Sequence, residues 1–496
     1  MFDKRTAWSR GLKWLVCILT AALLYFVITP VGLSSASWLY VSLVAAIVLG
    51  LILEPAPPAV VALTGLLTAG LLRLGPPGSF EPSAGLLGNV SLSEAVRWVL
   101  SGFSSPLLWT MLSVFMIGMG FEKTGLAHRI AVRLVRTLGK TTLGLGYAVA
   151  LADGFLAPFI PSGTARSGGI VYPLVMGIPP LFNSSPESEP RKIGAYLVWV
   201  GFASSCVTSS LFLTALFANL LALDSLRAAH LPVPDWSDWF LSVAPAGIVL
   251  LLLTPLLTYW LYPPTLKQPG ETLSHATSTL SASLSVRQWG MILVTVLAVI
   301  LWSSGLFPDF GEVLVALLTV CLMVVFGVVR WEDVVGNNRA WSAFFWLGSM
   351  ITLSKGLQNV TFFEWCLAGS TQWMHGLTPN MLMLGMVMLF AVGRYVMAGA
   401  TLQTVLLLPL FLTAAAGLEG VTPDQLATLG LVLALSTGLM GVVTPYATGQ
   451  GPVWFASGYI KTGEFWFLGL VFGTIHLAAL LLVFPWISLC GLLSHG

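Results

Sequence analysis

The sequence predicts an all-α polytopic membrane protein: eleven membrane-crossing helices plus two re-entrant hairpins, arranged as inverted repeats. Three observations predict it. Of 496 residues, 56% are apolar and only 8% are charged, against roughly 25% charged in soluble domains. The apolar residues fall in runs long enough to cross a bilayer, at about 20 residues per span. The basic residues segregate to alternate loops. A soluble globule of this size needs the missing charge to cover itself, so the composition excludes a soluble enzyme and a disordered scaffold. The net charge of +2 gives no footprint for nucleic acid.

Met1–Trp14 is basic and Leu15–Thr29 apolar, the pattern of a signal anchor and first span, because no small-x-small cleavage site follows. Hydropathy places spans near 12–31, 37–54, 57–74, 103–121, 193–221, 239–262, 288–306, 312–329, 341–357, 425–453 and 465–491. Two apolar stretches, near 141–182 and 380–415, do not fit as ordinary spans, and in the first a polar break leaves two arms each too short to cross alone. Read as re-entrant hairpins, they leave 16 of the 22 Lys and Arg on one side, among them Lys4, Arg10, Arg129, Lys140, Arg191, Arg287 and Lys461. The other side keeps Arg73, Arg97 and Arg227, and Arg166, Lys355 and Arg394 lie in or beside membrane segments. Cytoplasmic loops carry the basic excess, so the N-terminus is expected in the cytoplasm and the C-terminus outside. Counting either hairpin as a crossing destroys the bias. Arg129–Lys140 reads as a basic amphipathic helix at the headgroups. The five cysteines show no pairing or metal spacing and read as reduced packing residues.

The chain repeats itself. Trp109 precedes Ser162 by 53 residues, and Trp346 precedes Gly399 by 53. The second hairpin arms carry Pro173 and Pro409, each 35 residues before a polar break, at Thr208 and at Thr444. The expected topology runs the two Trp spans in opposite directions, so the repeats are inverted. Inverted repeats with broken helices mark secondary transporters, whose site lies between the repeats near the midplane.

Four polar breaks are the site candidates: Pro161–Gly169, Ala398–Gln403, Ala203–Ser210 and Thr444–Pro452. Backbone at membrane depth must be hydrogen-bonded within protein or face a watery cavity. Broken helices expose N–H groups with partial positive charge, which suits an anion. Ionisable groups at depth are functional candidates by default, and here they are few: Asp153, Arg166, Arg394 and Lys355. Arg166 can instead staple to Asp153. Lys355 and Arg394 can snorkel to the interface. No break holds His or paired carboxylates, so no nucleophile–base pair, metal site or cofactor is expected. Only His476 falls in a span.

Pro161-Ser-Gly-Thr-Ala-Arg-Ser-Gly-Gly-Ile-Val-Tyr-Pro173 resembles the first-hairpin motif of the divalent anion:sodium symporter family, closest to its exchanger branch of 2-oxoglutarate/malate and citrate/succinate antiporters. Thr444-Pro-Tyr-Ala-Thr-Gly-Gln-Gly-Pro452 and the following Ala-Ser-Gly-Tyr459 are similar to that branch's Thr-His/Pro-Tyr-Gly/Ala-Thr-Gly-Pro-Ala-Pro and Gly-Ser-Gly-Tyr. Gly120-Phe-Glu-Lys-Thr-Gly125 and Thr208–Leu216 add to it, and the likeness runs from about 95 to 480.

The resemblance implies a homodimer of elevator-type protomers, each with a scaffold and a moving transport domain, carrying a di- or tricarboxylate across the cell's inner membrane. Residues 1–100 (spans 1–3) and 263–340 (a cytoplasmic loop and spans 7–8) would be scaffold. Residues 101–262 would form the first repeat, with span 4, the hairpin, broken span 5 and span 6. Residues 341–496 would form the second, with span 9, its hairpin, broken span 10 and span 11. The family's substrate-binding tips map onto Ser162, Gly163, Thr164, Gly399, Ala400 and Thr401, and its broken-helix positions onto Thr208, Ser209, Thr444 and Pro445. Arg166, Asp153, Gln403 and Arg394 are candidate charge partners. Gly163 stands where the family usually has Asn, Gly399 where it has Ser, and Gln403 where the branch often has His. The symporters' sodium-binding Ser-Asn-Thr is missing from both tips, which points to sodium-independent exchange. A sodium-coupled symporter of a related anion is the alternative.

Overall fold

In a computed structural model, the described residues are 4–27, 32–80, 89–269, 283–303, 311–360, 362, 365, 378–395, 397, 399–418 and 420–490. The expected span ends at 28–31, 304–306 and 491 fall outside them, as do Cys366 and Ala398. The regular elements among the described residues are all helices, with no strand.

The first helices are α1 (Lys4–Val27), α2 (Ser35–Leu53), α3 (Pro58–Leu71), α4 (Leu92–Ser101), α5 (Pro106–Thr124), α6 (Leu126–Leu138), α7 (Thr142–Leu156) and α8 (Tyr172–Met176). Then come α9 (Gly194–Leu211), α10 (Phe217–Ala228), α11 (Trp236–Leu261), α12 (Val286–Ser303), α13 (Gly311–Val325) and α14 (Trp331–Val335). The chain closes with α15 (Asn338–Asn359), α16 (Pro379–Gly393), α17 (Ala400–Ala416), α18 (Pro423–Leu439), α19 (Gly451–Phe455) and α20 (Thr462–Cys490). Capping residues start them where the sequence changes character. Ser91 and Glu94 form a reciprocal box at α4, Thr141 accepts from Gly144 N at α7, and Thr422 with Gln425 boxes α18, where Pro423 opens the helix.

Among the described residues, seven helices are long and apolar enough to cross a membrane, or eight if α4 and α5, bent by 41°, form one span. Five shorter apolar helices of 10–17 residues accompany them. The first hairpin arm is longer than expected: with one 3₁₀ turn it runs to Phe159, 18 residues, long enough to cross. Pro158 sits within that turn. Residues 126–138 are helical as expected, and their apolar face packs on α7.

The chain divides into two compact units: residues 1–112, 337–378 and 413–418, and residues 113–336, 379–412 and 419–496. In the first, Tyr40 Oη donates to Leu353 O at 2.8 Å, seated over Gly356, where a Cβ would collide with the phenol ring. In the second, α9 is entirely buried, packed by α7, α11 and α18. Where every neighbour is apolar, helices associate through close packing and interhelical hydrogen bonds. Gly201 leaves room for the Trp454 indole and Gly438 for Ser210, whose hydroxyl donates to Leu435 O at 2.8 Å and ties α9 to α18.

Candidate functional site

Two of the charged side chains buried inside the second unit form a pair. Arg166 Nε donates to Asp153 Oδ2 at 3.1 Å, and both side chains are fully buried. The rest of the guanidinium is used up. Nη1 donates to Ile160 O and Ala215 O, each at 3.0 Å. Nη2 donates to Thr208 Oγ1 at 3.2 Å and Ser209 Oγ at 3.1 Å. Arginine has five N–H donors, and these bonds occupy all five. Arg166 is therefore a staple that joins α7, the hairpin tip and α9, with its charge balanced by Asp153. Thr208 Oγ1 also donates to Asp153 Oδ2.

The backbone follows from this staple. After the 3₁₀ turn, Pro161 prevents the helix from continuing, and Ile160 before it is extended (φ −126°, ψ 99°). The chain restarts at Thr164 as eight residues of π-helix leading into α8. Ser162 Oγ accepts from Ala165 N at 3.3 Å and Ser162 O from Arg166 N at 2.8 Å, so Ser162 caps the restart. At this tip Thr164 is exposed and Ser162 half-buried.

The third break is displaced from its expected place. Ala203–Ser210 is helical, and the chain unwinds one turn later, at Phe212 (φ −122°, ψ 136°) and Leu216 (φ −146°, ψ 137°). The hydroxyls that looked like a break bond their own helix: Ser205 Oγ to Phe202 O and Ser209 Oγ to Ser205 O, both 2.7 Å. The α9 end is closed by Asn219, whose amide donates to Ser209 O at 2.8 Å and Phe212 O at 3.1 Å, while Arg166 takes Ala215 O. Asn219 was missed in the sequence. The fourth break lies where expected. A 3₁₀ turn at Met440–Val443 ends in extended Thr444 (φ −141°, ψ 156°), and α19 begins at Gly451. Thr444 Oγ1 is buried with no hydrogen-bond partner among the described residues.

The first tip and the fourth break meet. Thr164 Oγ1 occupies the space above Gly449, where a Cβ would collide with it. A Cβ on Gly163 would lie 2.5 Å from Gln450 Oε1 and 2.9 Å from its Nε2. The Gln450 amide, whose Nε2 donates to Ser205 Oγ at 3.2 Å, therefore fills the place a tip side chain would take. Gln450 was missed in the sequence. Its signal was a paired departure: Gly163 where the resembled motif has Asn, and Gln450 where it has Pro.

The second hairpin sits beside the same break, with Tyr446 Oη donating to Tyr395 O at 2.9 Å. Gly399 has φ +102°, a conformation that side chains with a Cβ rarely adopt. Ala400 and Thr401 open α17 from there. Within this hairpin Arg394 is fully buried, and its Nη1 donates to Gln403 Oε1 at 3.0 Å while Gln403 Nε2 donates to Phe390 O at 2.6 Å. Arg394 Nε and Nη2 have no hydrogen-bond partner among the described residues. Snorkelling to an interface is not what this side chain does.

Of the predicted site residues, Asp153, Arg166, Thr208 and Ser209 form one network. Gly163 and Thr164 pack on 449–450, and Arg394 pairs with Gln403. Gly399, Ala400, Thr401 and Pro445 share no direct hydrogen bond with the first tip among the described residues. Lys355 belongs to α15, in the other unit. No group of three or more His, Cys, Asp or Glu that could hold a metal occurs among the described residues. What the arrangement offers is hydroxyls, helix-end amides and one buried cation, a donor set suited to an oxyanion.

Comparison with known proteins places this geometry in context. The family described as "sodium:sulfate symporter transmembrane region" matches residues 9–492. L-tartrate/succinate antiporters of Shigella sonnei and of Escherichia coli K12 are each 39% identical over 485 residues, covering 96% of this chain and 97% of theirs. The crystal structure of the Alcanivorax borkumensis YdaH transporter superposes with a TM-score of 0.55 at 19% identity, over 88% of this chain and 100% of that one, a likeness of fold.

Proposed function

The chain belongs to the sodium:sulfate symporter family, the divalent anion:sodium symporters whose hairpin motif it carries, and from that premise we propose that it exchanges C4-type dicarboxylates across a membrane without sodium. The observation that carries the reading is its 39% identity, over nearly its whole length, to proteins named L-tartrate/succinate antiporters. The donor set agrees. A succinate-like dianion needs N–H and O–H donors at two ends, and the hairpin tips and the fourth break carry such donors.

In this reading the substrate lies among Ser162, Gly163 and Thr164 of one tip, Gly399, Ala400 and Thr401 of the other, and Thr208, Ser209, Thr444 and Pro445. Gln450 provides the amide that Gly163 lacks. Thr208 and Ser209 are committed to Arg166 and shape the floor, whereas the unpartnered Thr444 hydroxyl is free to donate. The finer architecture belongs to the same proposal. It comprises eleven crossings with two re-entrant hairpins in inverted repeats and scaffold segments at 1–100 and 263–340. The repeats at 101–262 and 341–496 carry substrate by an elevator motion. The protein is a homodimer in the inner membrane with the N-terminus cytoplasmic and the C-terminus outside.

A thermal-shift screen of purified protein tests the substrate class, because a ligand that binds only the folded state stabilises it by RT ln(1 + [L]/Kd). Succinate, malate and tartrate should raise the melting temperature with saturation, and sulfate and monocarboxylates should not. Stabilisation by sulfate alone would overturn the substrate class. Stabilisation by succinate only in the presence of sodium would select the symporter.

A further inference from the structure

The second unit holds two buried guanidinium groups with opposite bookkeeping. Arg166 has a carboxylate partner and five filled donors, so it has nothing left to offer a ligand. Arg394 has 0% exposure, no carboxylate partner among the described residues, and two empty donors, Nε and Nη2. Its electrostatic neighbour there is the Cys206 thiol of α9. A buried cation left uncompensated is costly, and the donors of a buried guanidinium are seldom unsatisfied without a reason. A second orphan in this unit is the buried Thr444 hydroxyl, two residues from Tyr446, which bonds the backbone of Arg394's neighbour Tyr395.

Gln403 looks placed for this task. It sits nine residues on, across the hairpin, accepts from Arg394 Nη1 and anchors itself to Phe390 O. That leaves the guanidinium edge carrying Nε and Nη2 free, and this is the edge that binds a carboxylate bidentately. An amide holds the arginine without neutralising it.

We propose that Arg394, aimed by the positioning residue Gln403, binds the second carboxylate of the substrate and thereby sets the preference for dianions over monoanions. This deepens the exchange reading and rests on it. With Asp153 and Arg166 cancelling, Arg394 leaves the site one positive charge. A monoanion can satisfy the hairpin donors, and only a dianion also satisfies Arg394.

The test compares inhibition of labelled succinate uptake by succinate and by monomethyl succinate in proteoliposomes, for wild type, Arg394→Gln, Gln403→Glu and Arg394→Lys. Wild type should prefer succinate. If it does not distinguish the two, the dicarboxylate reading itself fails, separately from the role of Arg394. In Arg394→Gln the preference should fall by about 30-fold or more, the loss expected when one partner of a buried charge pair is removed, with monomethyl succinate inhibition unchanged. Gln403→Glu keeps the size and gives Arg394 an internal counter-charge, so it should lose the preference while folding normally, and it decides the matter if Arg394→Gln does not fold. Arg394→Lys keeps the charge but not the bidentate fork, so it should retain only part of the preference. A merely structural role for the pair would weaken both inhibitors alike. A wild-type ratio in Arg394→Gln or Gln403→Glu would overturn the proposal.

Discussion

Replacing Asp153 with asparagine removes one charge and almost no volume. Asp153 Oδ2 accepts from Arg166 Nε and from Thr208 Oγ1, and an asparagine Oδ1 in that position accepts the same two bonds. The other oxygen, Oδ1, has no partner among the described residues, so its replacement by NH2 breaks nothing. The substitution thus isolates the counter-charge. If the pair mattered only through hydrogen bonds, the loss would be about 1 kcal/mol. Arg166 cannot swing away to water, because four donors are pinned by Ile160 O, Ala215 O, Thr208 and Ser209. It would remain as an uncompensated buried cation, and stranding such a charge costs about 3–5 kcal/mol. The assay is denaturation of purified protein in detergent, followed by intrinsic tryptophan emission, to which Trp199 and Trp454, both buried in the same unit, contribute. Asp153→Asn should unfold at markedly lower denaturant. A loss of about 1 kcal/mol or less would refute the reasoning that Asp153 serves to neutralise the staple.

Three further outcomes follow from the same geometry. Gly163→Ala places a Cβ 2.5 Å from Gln450 Oε1. The flexible amide can swing aside only by giving up Ser205, so the cost is about 1 kcal/mol. Gly163→Ala/Gln450→Ala should recover much of it in a double-mutant cycle by chemical denaturation, and additive effects would contradict the contact. Thr444→Val deletes a buried hydroxyl that lacks a partner, so it should leave the unliganded melting temperature equal or higher while weakening succinate stabilisation at least about tenfold; a lower melting temperature with wild-type affinity would contradict that assignment. Asn219→Leu orphans the carbonyls of Ser209 and Phe212, so it should destabilise by about 1–3 kcal/mol and raise hydrogen exchange at the end of α9, and unchanged exchange there would argue against this cap.

Much of this was legible in the sequence because apolar run length and polar interruption are local properties. α11, α12, α18 and α20 begin within three residues of the places hydropathy puts them. The fourth break was readable from Thr444-Pro445 and the glycines after it, which end a helix by themselves. The third was misplaced because Ser and Thr satisfy themselves within a helix. The true unwinding at Phe212–Leu216 depends on Asn219 and on Arg166 reaching across 49 residues to Ala215, a tertiary cause with no local trace. The Asp153–Arg166 pair was a sequence alternative that the structure fills in. The contrast between a saturated Arg166 and a half-empty Arg394 was not readable, since nothing local in the sequence counts the partners that each guanidinium finds. Gln450 escaped notice because its meaning lies in the side chain missing from Gly163, 287 positions earlier.

The central claim is obligatory dicarboxylate exchange, and counterflow in proteoliposomes tests it most directly. Vesicles preloaded with succinate or malate, in sodium-free buffer, should take up labelled succinate many times faster than empty vesicles. Equal uptake into empty vesicles, or uptake that appears only with an inward sodium gradient, would contradict the account.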